Sequence, residues 1–241
     1  MGMDRTFGWI LCCLSLMATH GQSRDTIFAD EGYVLIDRNK FETKLRSELY
    51  YDQEYDLDTV ILRKLFLKYY LGRLEPLKKE QLYGILAQRN RVDTSQIMLI
   101  HYLDTLKRRD SYPKKEYIVN LKNGGHRHVP SYRTFIRGHL KCIKNYDKQE
   151  GIKVYHYFNH NEGHTTEYRD LQWYEDPLEL LRKLFYNKSD NTRMWWVFLY
   201  PNGDYMLLHE NMPREMYEDL KFHKNWDAHY REFRETYNRL N

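Results

Sequence analysis

Two histidines hold the densest chemistry in the chain. His160 and His164 flank Asn161-Glu162-Gly163, a triplet that fits a three-residue hairpin loop ending in a left-handed glycine. Closing that loop makes the two imidazoles cross-strand neighbours. Strand alternation then places His156, Phe158, Thr166 and Tyr168 on the same face. Two neutral imidazoles side by side suit Zn²⁺ or Cu²⁺ once another donor joins them. His156 lies two residues back, roughly 7 Å away at strand rise, too far for easy sharing. His126 and His128, on the short strand of an earlier hairpin, supply the third donor if the two hairpins abut. The spacing matches no standard zinc module. That favours a solvated polar tip without a cofactor, with zinc or copper as the alternative.

Other reactive groups are sparse. The sequence has no G-x-S-x-G, H-E-x-x-H, P-loop or G-x-G-x-x-G. Glu167 and Asp170 follow His164, but alternation turns Glu167 to the opposite face. Asn187-Lys188-Ser189 is a sequon for a surface glycan on an exported chain. There are three cysteines. Cys12 and Cys13 fall in an N-terminal leader, which leaves Cys142 alone. Its lone thiol reads as a small buried hydrophobe. The alternative is an intermolecular disulfide giving a homodimer.

The leader itself is legible. Arg5 precedes the apolar run Phe7 to Ala18, and Thr19-His20-Gly21 offers small residues for cleavage. The run is too short to span a bilayer. Residues 1–21 are therefore expected to be a signal peptide, and the mature chain to be secreted without membrane insertion.

Apolar spacing supplies the elements that must position these groups. Residues 22–111 are expected to be mainly helical. Asp58 caps a helix bearing Ile61, Leu62, Leu65 and Tyr69, and Gly72 stops it. Pro76 opens a second helix. Asp93 with Gln96 opens a third, with Leu99, Leu103 and Leu106 on its stripe. Lys107, Arg108 and Arg109 then complement the negative end of that helix.

Residues 112–241 are expected to form an α+β region of three hairpins, each followed by a proline and a helix. The hairpins turn at Asn123-Gly124-Gly125, at Asn161-Glu162-Gly163 and at Asn202-Gly203, and Ser131 and Asp176 cap helices. With a two-residue turn in the third hairpin, Tyr200 faces Tyr205. The fold class is α+β, a helical N-terminal region followed by a largely antiparallel sheet.

Composition bounds the function. With 41% hydrophobic residues in 241, the chain builds a real core, and its 15% aromatics exclude disorder. Lys and Arg number 38 against 34 acids, mild and interspersed, so nucleic acid is not an expected partner. The leading expectation is a secreted, non-enzymatic binding or effector protein that recognises an extracellular macromolecule. The alternative is a secreted metal-dependent hydrolase, nuclease chemistry included, built on the histidine hairpins. The 22 tyrosines raise a third option, a structural extracellular protein, with Tyr50, Tyr51 and Tyr55 as its exposed candidates.

Overall fold

The computed structural model describes residues 24–120, 126–149, 151–163, 168, 171–186, 196–209 and 212–241. The leader, Asn187 and His164 lie outside them. The chain is a mixed α/β protein with most of its strands in three sheets. Among the described residues no helix is long and apolar enough to cross a membrane.

The first sheet has three strands in the order β1 (Asp25–Ala29), β3 (Val60–Leu67), β2 (Tyr50–Asp56), with β1 parallel to β3 and β2 antiparallel. Helix α1 (Arg38–Leu45) precedes β2, and the Asp37 carboxylate caps it by accepting from the Lys40 N–H.

The second sheet has six strands in the order β4 (Tyr69–Arg73), β11 (Asp204–Leu208), β10 (Trp196–Leu199), β5 (Ile97–Leu106), β8 (Ile152–Asn161), β9 (Trp173–Glu175). Its β4 half is antiparallel, while β5, β8 and β9 run parallel. Met98, Leu99, Ile100, Val197, Phe198, Leu199 and Met206 form the middle of the core at 0–1% exposure. The third sheet is the hairpin of β6 (Tyr117–Asn120) and β7 (His126–Val129).

The remaining helices are α2 (Pro76–Asn90), α3 (Tyr132–Tyr146), α4 (Arg214–Leu220) and α5 (Trp226–Leu240). Pro76 occupies the first turn of α2 as expected. Ser131 caps α3 by accepting from the Thr134 N–H.

The expected helical N-terminal region is not there. Residues 24–111 hold two α-helices and five strands. The run from Val60 to Arg73 forms β3 and β4, and Asp58 sits at positive φ in the turn before β3 instead of capping a helix. The stripe of Leu99, Leu103 and Leu106 belongs to β5. Consecutive residues Met98 to Tyr102 of that strand are buried, so both its faces are covered and it reads as a near-continuous apolar run, which satisfies helical spacing by accident.

The three-hairpin scheme needs one further correction. The first and third hairpins form, while the return strand expected for the second, from His164, lies mostly outside the described residues. β8 is parallel to both its neighbours, and no antiparallel return strand follows it among the described residues. In the third, Leu199 pairs with Tyr205, so the loop is Pro201-Asn202-Gly203 with Gly203 at φ 93°. That one-residue change puts Trp196 and Phe198 on the face opposite Tyr205 and Leu207.

Candidate metal centre

One row across the six-stranded sheet reads Trp196, His101, His156, Trp173. Trp196 on β10 pairs with His101 on β5, His101 with His156 on β8, and His156 with Trp173 on β9. Residues in register on adjacent strands project to the same side, so the four rings form a continuous strip. Trp196 stacks on His101 at 4.7 Å between centroids, and Trp173 meets the edge of His156 at 5.0 Å.

Helix α3 covers this strip. Its packing face carries Phe135, His139 and Cys142, at spacings of four and three residues, which one side of an α-helix presents together. His139 enters between the two strand histidines. Its Nδ1 lies 3.0 Å from His156 Nε2 and 3.3 Å from His101 Nδ1. All three nitrogens lie within 4.8 Å of one another. A tetrahedral ion with bonds of about 2.0–2.1 Å holds its nitrogen ligands about 3.3 Å apart, so the two close spacings match a metal-ready set.

The centre is dry. His101, His139 and His156 are 6%, 9% and 2% exposed. Phe135 packs on His139 at 4.5 Å, and Trp173 lies 5.6 Å from it. Desolvation lowers the imidazole pKa values, to about 3 for His101, about 4 for His139 and about 2 for His156. Repulsion among the three adds to the effect at His101 and His156. At neutral pH all three are therefore uncharged, the form that ligates a metal.

Cys142 sits behind the centre. Its half-buried Sγ lies 3.4 Å from His101 Nε2, and burial raises the thiol pKa to about 11. When Nε2–H donates to that sulfur, Nδ1 of His101 turns its lone pair toward His139. Such a partner on the far nitrogen is how proteins orient metal-binding histidines. Among the described residues the Trp173 indole N–H, 94% buried by residue, has no hydrogen-bond partner.

No family model, curated protein or solved structure matches the chain. The chemistry of the site therefore stands on its geometry.

The described histidines that the sequence singled out as ligands lie elsewhere. His126 and His128 are exposed on β7, with His126 Nδ1 2.8 Å from Asn120 Oδ1 and His128 Nε2 3.3 Å from Glu116. His160 is exposed at the end of β8, with its Nε2 3.2 Å from Asn159 Nδ2. Of the described histidines weighed there, only His156 belongs to the buried cluster. His101 and His139 were missed. The signal that finds His139 is the Phe135, His139, Cys142 spacing on α3, whereas finding His101 requires the β5–β8 pairing. Tyr50 is buried and Tyr51 stacks on His209, so of the three tyrosines offered as exposed only Tyr55 is, at 40%.

Proposed function

We propose that the chain is an exported, non-enzymatic metal-binding protein whose His101, His139 and His156 hold Zn²⁺. The observation that carries this reading is the convergence of three buried, neutral imidazole nitrogens at spacings of 3.0 and 3.3 Å. Cu²⁺ binds nitrogen donors more tightly in general but prefers a tetragonal arrangement, and the crossed rings favour zinc. Among the described residues no carboxylate joins the three nitrogens, and aromatic rings wall them in. Both features favour a metal that braces the sheet against α3. Export rests on the N-terminal apolar run, and recognition of an extracellular macromolecule remains the proposed biological role.

The ligand count favours a second reading. Three histidines leave one position on a tetrahedral zinc, where water of pKa near 7 would be a hydrolytic nucleophile. Titrating zinc into chelator-treated protein tests the main reading, with one ion per chain and a rise in melting temperature as the expected result. Absence of stoichiometric zinc binding overturns both readings. Zinc-dependent hydrolysis of an activated ester, abolished by His139→Ala, replaces the first with the second.

A further inference from the structure

The basic run Lys107-Arg108-Arg109 has no helix end to complement, because β5 is a strand that stops at Leu106. The chain instead makes a single 3₁₀ turn, Arg109–Ser111, and passes the start of α3. A cavity of about 670 Å³ opens there, lined by Arg109, Asp110, Tyr112, Lys114, Tyr132 and Arg133 among others. Three cations face it against one acid, and the Asp110 carboxylate is held by Arg108 at 2.7 Å. Lys114 and Arg133 have no ion-pair partner among the described residues. The walls are rings. Tyr112 and Tyr132 meet edge to face at 5.8 Å, and the Arg109 guanidinium lies 4.9 Å from the Tyr132 ring centroid.

We propose that this cavity binds an aryl monoester of phosphate or sulfate, with Lys114 and Arg133 on the oxyanion and Tyr112 and Tyr132 against the ring. Guanidinium and ammonium groups are the standard partners of tetrahedral oxyanions. The volume falls in the range of small-molecule sites and far exceeds what a bare oxyanion fills, so the remaining space and its aromatic walls suit a ring. This site is independent of the proposed metal centre.

Calorimetric titration of the full chain with 4-nitrophenyl phosphate and 4-nitrophenyl sulfate tests it, at constant ionic strength and with a chelator present. The expected result is one ester per chain, weakened about tenfold by Lys114→Gln and again by Arg133→Gln, the loss of one charged hydrogen bond each. Both side chains are exposed, so an unchanged melting temperature is expected to confirm folding. A tighter phosphate ester identifies a dianion site, and a tighter sulfate ester a monoanion site. Either supports the proposal. Inorganic phosphate binding as tightly as the ester overturns the role of the rings. No saturable ester binding, or binding indifferent to both substitutions, overturns the site.

Discussion

His101 and His156 occupy one register position of the parallel β5–β8 pair, and His139 of α3 reaches both of them. Neither strand alone nor the helix alone holds a ligand set. The centre exists only where the sheet and its covering helix meet.

Removing the helix ligand should therefore abolish metal binding while leaving the strand pairing in place. At free zinc a hundredfold above the dissociation constant, the parent is expected to gain about 2.7 kcal/mol, and His139→Ala to gain almost none. Chemical denaturation with and without zinc reads both values.

Stability without metal should fall steeply in mild acid. The three imidazoles have depressed pKa values in the folded state, and in the unfolded chain each returns to about 6.5. The unfolded state thus binds more protons, and stability present above pH 6.5 is lost as pH falls toward the folded values near 4 to 2. Each group contributes a slope of at most about 1.4 kcal/mol per pH unit. Melting chelator-treated protein between pH 7 and 5 measures the slope, and His101→Gln should flatten it.

Part of this was legible beforehand and part was not. The cap at Ser131, the first-turn Pro76 and the first hairpin follow from local chemistry and form as read, and the third hairpin forms with its register moved by one residue. Local chemistry fails at β5. Leu99, Leu103 and Leu106 fit a helical stripe and a doubly buried strand equally well, and only the partners β10 and β8, distant in sequence, decide between them. The same failure hid His101. His156 was visible as a strand residue, but the Asn161-Glu162-Gly163 turn drew attention to His160 and His164. The parallel pairing of β8 moves the chemistry to the middle of the strand.

Asp204 anchors a second polar cluster, at the start of β11. Burial raises its carboxyl pKa, but hydrogen bonds from Arg73, His223 and Asn202 together outweigh that and hold it below the ordinary value. Its contribution is present above the unfolded pKa near 3.9 and lost as pH falls through the lower folded value. Asp204→Ala removes the acceptor that those three share, leaving Arg73 with Asp227 alone, and should cost about 2–4 kcal/mol by urea denaturation.

Gly72 on β4 pairs with Tyr205 of β11, whose ring lies across the position a β-carbon would take. Gly72→Ala should destabilise by about 1–3 kcal/mol through overpacking. Combining it with Tyr205→Leu should cost less than the sum of the two single changes, and a thermodynamic cycle measures that difference.

The parallel alignment of β5 and β8 also bears on how the chain assembles. The pair is joined through the β6–β7 hairpin and α3, so its contacts are remote in sequence and form late relative to local turns. A shift of β8 by one residue would point His156 away from the helix. An ion arriving at the centre would thus recognise only correctly registered chains, and its capture would act as a proofreading step on this long-range pairing.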